Sequence, residues 1–175
     1  MVSDIMNDPD FHAGELEAQD IWGTSHVWNK ERREKLLWNH IPESLFKRIE
    51  NAPFFFLATS NKKGECDCSF KGGGSGIIRI LDTKYFAFPD IDGNGAFMSI
   101  GNIIQNPHVG CLFIDFSTGE RLRVNGQASI HISGKVKELF PDYTRTILVK
   151  IEQVVPNCSA HIPKLIPLEK GNEAV

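Results

Sequence analysis

The spacing of apolar positions changes once along the chain, near Pro53. Upstream it is helical. Residues 15–22 suit a short helix, broken by Gly23-Thr24-Ser25. Residues 29–38 are charged on several sides and end in Leu36, Leu37 and Trp38, the pattern of an amphipathic surface helix. Within it Arg32-Arg33 reads as a solvated face with i,i+4 partners, ahead of a binding patch. Residues 42–50 set Leu45, Phe46 and Ile49 on one stripe behind a proline suited to the first turn. Downstream the period shortens. Residues 54–59 are a continuous apolar run of strand length, expected to be buried on both faces. Asn61-Lys62-Lys63-Gly64 is a hairpin turn, 65–70 the returning strand, and Gly72-Gly73-Gly74-Ser75-Gly76 a loop. Residues 77–81 and 85–88 make a second hairpin, stopped by Pro89. Met98, Ile100, Ile103 and Ile104 are close to helical spacing, so 96–104 reads as a short helix ended by Asn106-Pro107. Strands follow at 109–116, 121–132 and 146–155, with a short helix at 136–140 and one helical turn within 159–165. Six to seven strands in hairpin order, with few helices among them, argue for an antiparallel barrel.

Composition narrows the class. The 175 residues are 41% hydrophobic, enough for one globular domain with its own core. The expected layout is a helical extension over 1–52 packed on a barrel over 53–165, with a frayed tail at 166–175. A formal net charge of -3 and a pI near 6.1 argue against a nucleic-acid surface. No apolar run approaches the ~20 residues of a membrane span, and the acidic N-terminus lacks the features of a signal peptide. Cysteines at 66, 68, 111 and 158 read as free thiols, which suits a cytoplasmic protein. No H-E-x-x-H, G-x-S-x-G or paired C-x-x-C is present, and the six histidines are scattered, so no metal is expected.

Candidate chemistry concentrates in residues 88–126, FPDIDGNGAFMSIGNIIQNPHVGCLFIDFSTGERLRVNG. A glycine loop that runs into a helix N-terminus is a ready anion site, because the first N–H groups are unpaired and the dipole is positive there. Many such turns bind nothing, so on mechanism alone both readings stand. The succession PD-x-x-GN, S-x-x-N-I, NP-x-VG-x-LF and RLRVNG-x-A resembles the flavin-binding core of the pyridoxamine 5'-phosphate oxidase-like family, the FMN-binding split β-barrels. Ser69-Phe70-Lys71-Gly72-Gly73 resembles that family's S-x-KGG segment. Pro156-Asn157-Cys158 with His161-Ile162-Pro163-Lys164 resembles its closing element, and His12–Leu16 the lead-in of one branch. The likeness runs from about Phe11 to Lys164.

The resemblance implies a mainly β (α+β) split barrel with N-terminal helices and a short helix before the fifth strand. It implies an FMN cofactor, a homodimer with flavin at the subunit interface, and a small-molecule substrate, with neither nucleic acid nor membrane as partner. An FMN-dependent oxidoreductase is the first functional reading; a non-catalytic flavin-binding or carrier protein of the same fold is the second. A plain barrel that binds a protein or sugar is a third, from outside the family. Site positions carried over are Ser69 and Lys71 along the second strand, Phe88, Pro89 and Asp90 at a strand end beside the flavin, Asn94, Ser99 and Asn102 near the phosphate or ribityl chain, and Arg121 and Arg123 toward the ring edge. Each has a structural alternative: an exposed lysine at 71, a left-handed turn at Asn94, local caps at Ser99 and Asn102, surface ion pairs at the arginines. Where relatives carry basic residues after the Gly-Asn pair, this chain has Gly95-Ala96, so Lys71, Arg79 or a partner chain takes that role, or flavin affinity is low. The Arg-containing C-terminal motif of the true pyridoxamine phosphate oxidases is not seen, which makes vitamin B6 synthesis the less expected chemistry.

Overall fold

The computed structural model describes residues 8–157 and 160–165. The chain forms two compact units, Met1–Trp38 and Asn39–Val175. The first holds helices α1 (Ala13–Ile21) and α2 (Lys30–Leu36). His12 starts α1 through a capping box: its Nδ1 accepts the Gly14 and Glu15 N–H groups, and Glu15 accepts the His12 N–H. Arg33 departs from the expected solvated face. Its Nη1 donates to Asp8 at 2.6 Å, its Nε donates to the Trp28 carbonyl at 2.9 Å, and its guanidinium lies over the Phe11 ring. The side chain is only 23% exposed. Burial alone would raise the Asp8 pKa, but hydrogen bonds from Arg33 and from the Asp10 and Phe11 N–H groups outweigh it and hold the carboxyl below its usual value.

The second unit carries helix α3 (Phe46–Glu50) and strands β1 (Phe54–Ser60), β2 (Cys66–Gly72), β3 (Arg79–Asp82) and β4 (Tyr85–Asp90). These are followed by α4 (Met98–Gln105), β5 (His108–Ile114), β6 (Arg121–His131), α5 (Gly134–Glu138) and β7 (Arg145–Asn157). The order across the sheet is β2-β1-β5-β6-β7-β4-β3, with every neighbouring pair antiparallel. This is the expected α+β architecture: a seven-stranded split-barrel arrangement with helices before it and one helix ahead of the fifth strand. Phe55, Phe86, Phe88, Leu57, Val124 and Val149 are essentially inaccessible and fill the interior. Phe55 meets Phe88 edge-on at 5.0 Å and tilts against Phe113 at 5.3 Å.

Three local expectations are corrected. β1 is buried on one face only: Phe55, Leu57 and Thr59 point inward, and Phe54, Phe56 and Ala58 do not. An apolar run does not distinguish a two-sided strand from a one-sided strand whose other face is also apolar. β4 continues through Pro89 to Asp90, and Pro89 is the register partner of Thr146. β3 reaches only as far as Ala87, so Pro89 has a strand neighbour on one side alone, where a missing N–H is tolerated. The helix expected at 42–50 divides into a 3-10 turn, Glu43–Leu45, and α3. No helix among the described residues is long and apolar enough to cross a membrane.

β6 and β7 slip by one residue between Asn125 and Gly126, a β-bulge that leaves Glu152 unpaired in the ladder. A Cβ at Gly126 would lie 2.1 Å from the Lys150 carbonyl oxygen, closer than any atom can sit. Gly126→Ala is expected to destabilise the protein by about 1–3 kcal/mol, read as a lower urea midpoint. A second expectation concerns the cysteines. Cys66 and Cys68 are exposed free thiols and Cys111 is a buried one, while Cys158 lies outside the described residues. Burial pushes the Cys111 thiol from 9.0 up to about 12. A raised folded-state pKa gives stability that is complete below the unfolded value and lost as pH climbs toward the folded one. The urea midpoint should therefore fall more steeply between pH 9 and pH 12 in the wild type than in Cys111→Ala. In the native protein only the exposed thiols should alkylate quickly.

Candidate functional site

β2 presents Asp67, Ser69 and Lys71 on one face, because alternate residues of a strand share a side. Their partners across the ladder are Thr59, Leu57 and Phe55, all buried, so this is the interior face of the sheet. On this side of β2 lies a cleft of about 390 Å³. Its floor is that β2 face. Its opposite wall is the loop from Asp90 to Phe97 and the first turn of α4, with Arg145 from β7.

The loop and helix are fixed by polar contacts. Asn94 Oδ1 accepts the Ala96 N–H at 3.0 Å, which leaves the amide NH2 of Asn94 uncommitted in that turn. The left-handed positions are Gly95 and Phe97, with φ +79° and +50°, and not Asn94. Phe97 therefore holds a conformation that costs a non-glycine residue energy. The Arg145 guanidinium lies over its ring at 4.9 Å. Along α4, Ser99, Asn102 and Asn106 recur on one face. Ser99 Oγ meets Ser69 Oγ at 3.0 Å, Asn102 Nδ2 donates to Thr59 Oγ1 at 3.0 Å, and Asn106 Nδ2 donates to Ser60 Oγ at 2.9 Å. Ile100 and Ile103 are the buried apolar contacts of the same helix.

Arg145 is the residue that sequence reading missed. Its Nε donates to Asp90 Oδ2 at 2.6 Å and its Nη2 to Asp92 Oδ1 at 2.9 Å. The hydrogen bond to Asp90 is the main reason its pKa lies above the usual arginine value. The available signal was the register: Arg145 is the strand partner of Asp90, and that pairing is not visible in a linear pattern. Lys71, by contrast, lines the cleft and forms no ion pair among the described residues. Asp67 Oδ2 is buried and accepts no hydrogen bond among them.

Of the ten sequence-derived positions, the structure gathers Ser69, Lys71, Asp90, Asn94 and Ser99 on the cleft wall. Phe88 and Pro89 are buried in β4, behind that wall. Asn102 is taken up in holding α4 to Thr59. Arg121 and Arg123 share a face, as their spacing implies, but it is the outer one. The ladder carries that face from Arg123 through Leu112 and Phe56 to Phe70, away from Lys71. Arg123 Nε donates to Asn157 at 2.9 Å, and Arg121 Nε is buried with no acceptor among the described residues. Arg79 stands exposed on the edge strand β3 and does not line the cleft. A second cavity of about 390 Å³, bounded by Ile49, Phe54, Phe113, Phe116, Leu122 and Leu165 among others, is mainly apolar and holds none of the ten. Among the described residues no group of three or more His, Cys, Asp or Glu side chains is placed to hold a metal ion.

Residues 41–160 match the family model described as pyridoxamine 5'-phosphate oxidase. The chain is similar in fold to HupZ of Group A Streptococcus, with a TM-score of 0.52 and 19% identity over 66% of this chain and 94% of that one. It is also similar in fold to an FMN-binding protein from Syntrophomonas wolfei subsp. wolfei, with a TM-score of 0.50 and 10% identity over 82% of this chain and 96% of that one. Against curated proteins the sequence gives no match.

Proposed function

Because the chain belongs to the pyridoxamine 5'-phosphate oxidase family, we propose that its cleft takes FMN and that the protein is an FMN-dependent oxidoreductase acting on a small molecule. One observation carries the reading: Lys71 without a counter-ion and Asp67 Oδ2 without a donor among the described residues, on either side of Ser69 along the floor of one cleft. A cation in need of an anion, four residues from an acceptor in need of a donor, suits a ligand that has both. The FMN phosphate meets the Lys71 ammonium and the free Asn94 NH2, and a ribityl hydroxyl can donate to Asp67. Ser69 and Ser99, bonded to each other at 3.0 Å, supply two more hydroxyls between them. Ile91, Phe97 and Met98 are exposed apolar side chains at the rim, suited to cover an aromatic ring and keep water from it.

A bound flavin supplies hydride and electron chemistry that no side chain of this chain can perform. What the residues do is bind, orient and desolvate. Lys71 and Asn94 hold the charged end, Asp67 fixes the chain between, and the rim sets the ring plane. The second functional reading, a non-catalytic carrier, uses the same contacts. Steady-state oxidation of NADH or NADPH under air by the loaded protein favours the oxidoreductase; tight FMN binding with no turnover favours the carrier.

The proposal includes a homodimer. Phe54 stacks on Phe70 and Phe116, Phe56 meets Phe54 and Phe70 edge-on, and Phe56 and Phe70 lie on the outer sheet face with Leu112. Phe70 is 60% exposed. A contiguous face of this kind is a liability unless covered, and a two-fold partner seated on it covers it. Sedimentation at micromolar concentration should give a species of twice 19.6 kDa, and Phe70→Asp should shift it toward the monomer.

For the cofactor, Lys71→Ala should weaken FMN by about ten- to a hundredfold and leave riboflavin almost unchanged. A charge-assisted contact is worth roughly 1.5–3 kcal/mol, and about 1.4 kcal/mol is one decade. Titration with flavin fluorescence as the signal makes the comparison. Equal losses for both ligands would remove Lys71 from the phosphate end.

A further inference from the structure

A phosphate monoester carries close to two negative charges, and Lys71 offers one positive charge. The other cation on the cleft wall is Arg145, and its two ion pairs are unlike each other. The pair with Asp90 joins register partners on β4 and β7; the side chains are 17% and 10% exposed. It belongs to the sheet. The pair with Asp92 reaches into the loop, to a carboxylate 77% exposed, where water and salt compete for it. It is exchangeable.

We propose that Arg145 is the second phosphate cation of this cleft and that Asp92 is its resident counter-ion, displaced when a phosphate monoester binds. This rests on the reading that the cleft takes FMN. The charge balance of the wall supports it. Asp67, Asp90 and Asp92 face Lys71 and Arg145, three carboxylates against two cations. A phosphate could not join that set without like-charge repulsion. Once Asp92 turns to solvent, Lys71 and the freed Nη edge of Arg145 face the phosphate together. The guanidinium need not move, because Asp90 still holds Nε and the Phe97 ring still lies 4.9 Å beneath it. Its N–H groups in a fixed fork then match two phosphate oxygens. Asp92 thus acts as a specificity element: it satisfies Arg145 against neutral ligands and yields only to a stronger anion.

The test is a coupling cycle with FMN and riboflavin as probes, read by flavin fluorescence quenching. Asp92→Asn should tighten FMN about three- to tenfold and leave riboflavin unchanged. Arg145→Gln is made together with Asp90→Asn, so that no buried carboxylate is stranded. This double variant should weaken FMN about tenfold, and adding Asp92→Asn to it should bring no further gain, because Asp92 then has nothing to release. Thermal shift confirms that each variant is folded. If Asp92→Asn tightens FMN equally in both backgrounds, Asp92 acts by charge alone and the proposal falls. It falls too if Asp92→Asn has no effect while the wild type still prefers FMN to riboflavin, an outcome that leaves the flavin reading standing. A wild type that binds FMN no better than riboflavin overturns the phosphate site and the proposal with it.

Discussion

Side chains of a strand alternate, and in the β2-β1-β5-β6 part of the sheet that alternation divides the chain's chemistry in two. The inner set runs through Leu57, Cys111 and Val124, with Ser69 beside them; the outer set runs through Phe70, Phe56, Leu112 and Arg123. A one-residue slip anywhere in these ladders would exchange the two sets. The register holds because Phe55 and Leu57 have no other place to be dry. Lys71 reaches the cleft only because it follows Ser69 at the same parity, and α4 closes over that face only because Ser99, Asn102 and Asn106 find Ser69, Thr59 and Ser60 there.

Much of this was legible in the sequence. Element types followed from period and from punctuation by glycine and proline, and the strand count and the position of α4 needed nothing more. The cleft's glycine loop, its lysine and its serines could be singled out because they fall in short, ordered motifs that resemble those of a known family; on spacing alone they would have stayed ambiguous. What could not be read is what depends on pairing between distant segments. Arg145 lies 55 residues beyond Asp90 in the chain and bonds to it through a strand register that no local pattern encodes. Arg121 and Arg123 were correctly placed on one face, but which face is decided by Leu122 and Val124, whose burial fixes the parity of β6. Arg33 illustrates the same limit on a smaller scale. Its charge suggests solvent, and its actual surroundings, Asp8, Trp28 and Phe11, are assembled by turns.

The cleft also shows how a site can depart from local rules because the fold supports it. Phe97 sits left-handed at the head of α4, a place where glycine would be at ease. Glycine there would relax the backbone and remove the ring beneath Arg145. Asp67 keeps a buried oxygen unbonded, a cost the interior of a strand seldom carries. Both exceptions lie on the walls of one cavity; elsewhere Thr146 Oγ1 and Arg121 Nε are also buried without a partner among the described residues.

β7 is the last strand of the sheet in sequence yet lies between β6 and β4 in space. The β3-β4 hairpin, made some sixty residues earlier, has no ladder partner in the rest of the sheet except β7. Phe86 therefore has a ladder partner on one side only, and Phe88 has none, until β7 arrives. Assembly in time thus runs against assembly in space: an early hairpin must wait for the final strand to bridge its ladder to the rest. Closure by so distant a segment is entropically slow, and on a chain still being synthesised this waiting hairpin is the piece most in need of shelter.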